Sequence, residues 1–554
     1  MMRQVLYFLS RRVSGLHQAA YVLGGFAVLS SLLAFVRDRL LAFTFGAGIE
    51  LDIYYAAFRI PDIIFVGVAS LVSAYVLIPV LTSKDEIGQR NYIDTIVVGF
   101  SAIISTVSII AYFFAPYILE KVFPALVEMG FLDDLIMMTR ILLIQPILLG
   151  FSNIFAAIVQ VKSRYVLYAT TPLVYNFGII FGVVVFYPLF GIVGLAWGVV
   201  IGALLHAGIQ LPSIIYDGFL RRLPTAYDFS TLKETVSISL PRAITLAMSQ
   251  ANIFFLISMA GTLTVGSIAI FTLSFNLQSV PLAIIGASYS VAAFPTLASM
   301  FSSGDKEQFI NHVTVASRHI IFWSLPAIAL AIVLRAHVVR AILGTGAFDW
   351  IDTRLTAASF ALFIISLTAH ALMLLIIRGY YAAGKTLVPF LVSAFVLILS
   401  VTLGYLFLGA FGVEEVQLFV ESLLRVEDVP GSDILMLPLA YSIASIAGAV
   451  LLLLLFEWKF GGFFIRVSRA FGESLAVAGV AGLVAYTVLS VLGGINEATT
   501  LLTVLGHGFA AGLSGIFAAV TLFWFSGNRE FNEISKTARD KYRAKTILSG
   551  ETEL

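Results

Sequence analysis

The 554-residue chain has no cysteine and little charge: 12% of its residues are Asp, Glu, Lys or Arg, against 60% hydrophobic ones. Without cysteine there is no disulfide, thiolate metal site or thiol nucleophile. The seven histidines, His17, His206, His312, His319, His337, His370 and His507, form no H-E-x-x-H or comparable metal spacing. A Walker A loop and a dinucleotide-binding glycine fingerprint are also missing, so no nucleotide machinery and no cofactor is expected. Soluble domains carry about 25% charged residues, and a soluble protein this apolar would have to expose hydrocarbon to water. The net charge of +1 leaves no footprint for nucleic acid. A cleavable signal peptide is not expected either, because the apolar stretch 5–9 is short and is followed by Arg11 and Arg12.

What the chain does have is long apolar runs. A bilayer span takes about 20 mostly apolar residues. Fourteen runs qualify: 17–36, 53–82, 93–118, 134–160, 165–187, 190–215, 233–260, 266–300, 314–334, 355–382, 386–410, 434–457, 470–493 and 501–525. The expected fold is therefore an all-α polytopic membrane protein. Pro61, Pro146, Pro241 and Pro281 fall inside runs and predict kinks, since each removes a backbone donor. Placing Arg3, Arg11 and Arg12 in the cytoplasm puts 23 of the 33 Lys and Arg on that side and returns the C-terminus to it. The longest outer loop, 411–433, is then acidic, and 526–554 reads as a solvated, partly helical cytoplasmic tail.

Two echoes suggest an internal repeat. Ile78-Pro79-Val80-Leu81-Thr82-Ser83 resembles Phe294-Pro295-Thr296-Leu297-Ala298-Ser299, six spans later, and Lys162-Ser163-Arg164-Tyr165 is matched by Gly384-Lys385-Thr386. The expected organisation is a cytoplasmic N-terminus (1–16), a first six-helix lobe (17–215), a linker (216–232), a second lobe (233–457), a helix pair (458–525) and the tail (526–554). Parallel repeats of this kind are a transporter architecture, with the site near the midplane where the repeats meet.

Ionisable groups at membrane depth are costly and tend to face a cavity. Arg37, Asp38, Arg39, Asp52 and Arg59 form the densest cluster, around a Gly46-Ala47-Gly48 break. Asp52 and Arg59 are seven apart and are expected on one helix face. Arg39 is expected to snorkel to the outer headgroups, whereas Arg59, deeper and just before Pro61, is expected to face the cavity. Arg242, after Pro241, fits either a cavity or a cytoplasmic snorkel. Ser274, Asn276, Gln278 and Ser279 are neutral polar groups that either bond substrate or tie helices together. An arginine-lined groove suits an anion, because guanidinium matches phosphate with a bidentate fork.

The segment Phe35-Val-Arg-Asp-Arg-Leu-Leu-Ala42, Phe45-Gly-Ala-Gly48, Asp52 and Ala57-Phe-Arg-Ile-Pro-Asp62 resembles the N-terminal signature of the MurJ/MviN lipid II flippases. Further matches follow in order: Gly194-Leu-Ala-Trp-Gly-Val-Val-Ile-Gly202, Gln210-Leu-Pro212, Leu277-Gln-Ser-Val-Pro281, Phe294-Pro-Thr-Leu297, Gly346-Ala-Phe-Asp349 and Tyr380-Tyr-Ala-Ala-Gly-Lys385. The resemblance, over roughly 20–525, implies the multidrug/oligosaccharidyl-lipid/polysaccharide exporter fold, with two six-helix lobes and a C-terminal pair. It implies movement of undecaprenyl-diphosphate-linked peptidoglycan precursor across the bacterial inner membrane, with Arg37, Arg59 and Asp52 at the family's cavity positions. Three departures stand out. Ser31 replaces an arginine, Phe65 and Val66 replace two basic residues, and Phe275 and Asn276 replace an Asp-Arg pair. Arg242 is the candidate replacement charge.

The expected mechanism is alternating access, with the diphosphate neutralised by Arg37, Arg59 and Arg242 and the lipid tail left among membrane lipids. Energy is expected from H+ or Na+ coupling, the membrane potential, or onward consumption by cell-wall synthases. The competing readings are a flippase for another polyprenyl-linked glycan, a cation-coupled multidrug exporter and a non-transporting scaffold. An enzyme acting on the same lipid would need a catalytic carboxylate in a large outer loop, and 411–433 offers only a diffuse acidic run, which reads as solvated.

Overall fold

A computed structural model describes residues 16–220, 229–536 and 539. Among them there is no strand. The long helices are, in order, α1 Leu16–Phe45, α2 Ile49–Thr82, α3 Glu86–Val122, α4 Leu132–Val161, α5 Tyr165–Phe190, α6 Ile192–Tyr216 and α7 Phe229–Ala260. They continue with α8 Ser267–Ser302, α9 Lys306–Ile342, α10 (Trp350–Ile364 and Leu367–Ala382, bent by 44°), α11 Leu387–Phe411, α12 Ser432–Phe460, α13 Phe463–Leu492 and α14 Leu501–Phe525. Among the described residues twelve of these are long and apolar enough to cross a membrane, or thirteen if the bent α10 is counted as one span.

The helices outrun the apolar segments. α9 extends eight residues to either side of 314–334, and α1 runs nine past 36, through Arg37-Asp38-Arg39. Hydropathy locates only the hydrocarbon-facing part, while the backbone ladder continues wherever charged side chains can be solvated or paired. Large apolar side chains such as Phe113, Ile398 and Phe517 lie exposed on the helix surfaces, where lipid rather than water is the compatible solvent.

The repeat is visible in local geometry. α3 and α9 are each 37 residues long and begin 220 residues apart, at 86 and 306. Each is preceded by an aspartate, Asp85 or Asp305, whose carboxylate accepts the N–H of Gly88 or Gln308 at 3.0 Å. α4 and α10 end in the same way. Ser163 and Gly384 take positive φ (57° and 68°), and Arg164 N–H bonds Val159 O just as Lys385 N–H bonds Tyr380 O. α2 and α8 each carry a π-helical turn, Phe65–Ala69 and Leu282–Ala287.

The described chain forms two compact units. The first comprises the described residues within 1–273, 342–352 and 393–412, and the second those within 274–341, 353–392 and 413–554. This division differs from the expected lobe boundary at 216–232, of which 221–228 lie outside the described residues. The reason is that α7 packs within the first unit: Thr235 bonds Tyr92 (3.1 Å), Ser239 bonds Leu71 O (3.1 Å) and Ser258 bonds Val122 O (2.8 Å).

Two expectations about connecting segments are corrected. Loop 411–433 is not a diffuse run, because Glu414–Leu424 is a helix. Its Glu421 is buried and accepts bonds from Gln417 and Ser432, and Asp428 pairs with Arg354 at 2.6 Å. The beginning of the tail is docked rather than solvated. Residues 529–536 are helical, Glu530 is buried in an ion pair with Arg318, and Asn528 donates to Glu473 at 2.8 Å. Phe531 and Ile534 pack on Phe322, Val477, Ala481, Ala519 and Phe523.

Candidate functional site

The first unit gathers the charged motif at the junction of α1 and α2. α2 breaks at Phe58, and Pro61 cannot donate, so the last carbonyls of Ile49–Ala57 lack a full ladder. Arg59 fills part of that gap: its Nε donates to Tyr55 O at 2.9 Å, and its guanidinium lies 3.4 Å from Asp62. The π-turn Phe65–Ala69 follows directly, and irregular helix of this kind often marks a functional position.

All three guanidinium nitrogens of Arg37 are engaged, by two partners. Its Nε and Nη2 donate to Asp38 Oδ1 at 2.9 and 2.8 Å, and its Nη1 donates to Asn176 Oδ1 on α5 at 2.9 Å. Asn176 is oriented in turn by donating to Pro172 O. The buried Tyr55 lies within electrostatic reach of both Arg37 and Arg59, and Tyr175 within reach of Arg37 and Asp62. The two pairs therefore belong to one neighbourhood, in which each arginine keeps N–H groups beyond those bonded to its aspartate. Sequence reasoning missed Asn176 and Tyr175. The available signal was a carboxamide in the middle of an otherwise apolar α5.

Asp52 is placed differently from expectation. It is 3% exposed, and both its oxygens are taken by backbone: Oδ2 accepts from Gly266 N (2.6 Å) and Oδ1 from Ala269 N (2.8 Å). It caps the N-terminus of α8, where an anion meets unsatisfied N–H groups and the positive helix end. Asp52 and Arg59 form no hydrogen bond or ion pair with each other among the described residues; each has its own partners. Arg39 is half-buried, with its Nη1 on Ile342 O at 3.4 Å.

The glycine motifs around Asp52 are architectural. Gly266 has φ +92° and leaves no room for a Cβ, which would sit 2.1 Å from Ala47 O. Gly346 (φ +68°) likewise abuts Phe43 O, Ala347 N bonds Phe43 O at 2.9 Å, and Ala47 N bonds Asp352 at 2.9 Å.

In the second unit Gln278 is buried and donates to Ser366 Oγ at 3.2 Å, beside the Ser274–Ser359 bond of 2.7 Å. These groups tie α8 to α10, as interhelix polar pairs do in membranes. Asn276 is half-buried and its carbonyl accepts from Ser279. Arg242 lies on α7, but its side chain is outside the described residues. At the three departures from the family pattern, Ser31 bonds back to Ala27 O, Phe65 and Val66 enter the π-turn, and Phe275 packs edge-on against Phe363 and Tyr441.

The sequence model of the lipid II flippase MurJ family matches residues 41–496. The chain belongs to the lipid II flippase MurJ family. A MurJ relative from Thermotoga maritima, named "Probable lipid II flippase MurJ", is 29% identical over 79% of this chain and 90% of its own length. Another of that name, from Buchnera aphidicola, is 26% identical over 67% of this chain and 74% of its own. Among solved structures, a lipid II flippase MurJ in an inward closed conformation aligns over 91% of this chain and 99% of its own, with TM-score 0.70 and 21% identity. An inward-facing MATE-family multidrug resistance transporter aligns over 78% of this chain and 94% of its own, with TM-score 0.62 and 13% identity. Both likenesses establish the fold.

Proposed function

We propose that this MurJ-family chain flips lipid II, the undecaprenyl-diphosphate-linked peptidoglycan precursor, from the inner to the outer leaflet of the bacterial cytoplasmic membrane, with both termini cytoplasmic. The observation that carries this reading is the family match over residues 41–496, which includes the retained Arg59 motif. The geometry of Arg37 and Arg59 supports it. Each guanidinium is held against a neighbouring aspartate, with N–H groups to spare. An arriving diphosphate competes with Asp38 and Asp62 for forks that are already oriented, and a charge-assisted bidentate bond is the stronger partner. Neutralising and then releasing the headgroup in this way suits an alternating-access cycle, in which the site must bind without trapping. Asp52, Asn276 and Gln278 serve the cycle as architecture, and Arg242 supplies a third cation.

The membrane potential contributes about 2.3 kcal/mol per charge per 100 mV, and H+ or Na+ coupling and removal of product by cell-wall synthases are the other drives. The test is complementation. In a bacterium depleted of its own lipid II flippase, the parent chain is expected to restore growth and Arg59→Ala, at matched membrane levels, is expected not to. Rescue by Arg59→Ala as complete as by the parent contradicts the role given to this cation.

A further inference from the structure

The second unit contains a cationic cleft that the flippase reading does not use. A cavity of about 560 Å³ is lined by Arg318, Arg466 and Arg529 together with Thr314. An adjoining cavity of about 400 Å³ shares those three arginines and adds Arg469. Several of these charges are answered within the protein: Arg318 by Glu530, Arg469 by Glu473 at 2.6 Å and Arg529 by Glu533 at 2.9 Å. Glu307 also lines the larger cavity. Arg466 is different, because it is exposed and has no carboxylate or hydrogen-bond partner among the described residues. Two further donors are unused. Thr314 is 2% exposed, yet its hydroxyl has no partner, and Arg318 Nε has none. A buried, unsatisfied hydroxyl beside guanidinium donors is costly unless a ligand oxygen completes it.

Position indicates the source of that oxygen. Arg318 lies on α9 just before its buried apolar residues Ile320, Ile321 and Phe322, Arg466 is in the first turn of α13, and Arg529 follows the end of α14 by four residues. At the same helix ends Trp458 (87%), Ile465 (84%), Trp524 and Phe525 are exposed, the pattern of a membrane–water boundary. Basic pockets between helix ends at that depth suit phosphate headgroups. We propose that this cleft binds the phosphate of an anionic phospholipid of the adjoining leaflet, with Arg466 as its principal cation and Thr314 as a neutral donor. The proposal requires the membrane-spanning fold and is independent of which substrate is flipped.

The test uses the full-length protein, stripped of lipid in detergent. It is titrated with phosphatidylglycerol, with phosphatidylcholine of the same chain length and with inorganic phosphate, and retained ligand is read by native mass spectrometry. Phosphatidylglycerol is expected to bind about tenfold more tightly than phosphatidylcholine. Arg466→Ala is expected to remove most of that preference, about the worth of one charge-assisted hydrogen bond. Arg466→Lys should restore part of it, and Lys121→Ala, at an exposed site elsewhere, should change nothing. Equal binding of the two lipids, or unchanged preference in Arg466→Ala, overturns the proposal. Displacement of phosphatidylglycerol by millimolar inorganic phosphate would make the cleft a site for free anions and overturn the lipid assignment. Failure of the complementation above leaves this result untouched.

Discussion

Arg37 and Arg59 illustrate how a membrane protein accommodates charge. Neither is left bare in the apolar interior, and each is balanced by an aspartate next to it or one turn away. Arg59→Lys keeps the charge but loses the planar fork, so it is expected to rescue growth less well than the parent and better than Arg59→Ala. Asp52 shows the opposite case, a charge consumed by architecture. Asp52→Ala is expected to lower thermal stability in detergent by on the order of 2 kcal/mol, because two backbone N–H groups at the start of α8 lose a charged acceptor. An unchanged melting temperature would contradict the capping role. The sequence made the arginines legible because charge is rare in apolar runs. It could not separate Asp52 from them, since its partners lie more than 200 residues away at Gly266 and Ala269.

At the scale of elements, the motif Gly194-x-x-x-Gly198-x-x-x-Gly202 is a packing device. Gly178 and Gly182 on α5 meet Gly194, Gly198 and Gly202 on α6 so closely that a Cβ on Gly198 would lie 2.4 Å from Gly182 Cα. Gly198→Ala is expected to cost about 1–3 kcal/mol through overpacking. Gly208→Ala, on the same helix with nothing within 4 Å, should be near neutral in the same melting assay. The helix Glu414–Leu424 is a second element whose behaviour can be predicted. The hydrogen bond from Arg354 holds the Asp428 carboxyl below the usual aspartate range. A lowered folded value means that this anchor is fully present above the ordinary aspartate range and is lost as pH falls through the folded value. Protection factors in 414–428, corrected for the intrinsic pH dependence of amide exchange, are therefore expected to fall on acidification, and less so in Asp428→Asn, which lacks the anchor at every pH. The helix escaped sequence reading because its acids and apolar residues are interleaved, and only the burial of Glu421 against Ser432 reveals which face is inward.

At the scale of the whole molecule, fourteen helices and a six-helix repeat could be read from apolar runs and two short echoes. The reason is physical: bilayer thickness sets the length of a span, and a duplicated helix keeps its caps. Asp85 and Asp305 heading two helices of equal length are the clearest trace. What could not be read was the association of distant segments, such as α7 with α2 and α3, or residues 529–536 with α9 and α13. Those contacts depend on which face of an apolar helix meets protein and which meets lipid, and composition alone does not distinguish the two. Glu530→Gln is expected to destabilise the protein by on the order of 3 kcal/mol, because it leaves Arg318 unpaired in a largely buried position. Melting with and without the substitution checks this.

The most direct test of the account is to measure which leaflet holds the precursor. Cells dependent on this chain would be treated with a membrane-impermeant enzyme that cleaves the diphosphate of lipid II from outside. The account predicts that most of the lipid II is cleaved with the parent chain, and that it accumulates, protected, with Arg59→Ala. Equal protection with the parent and with an empty vector, despite correct membrane insertion, would contradict it.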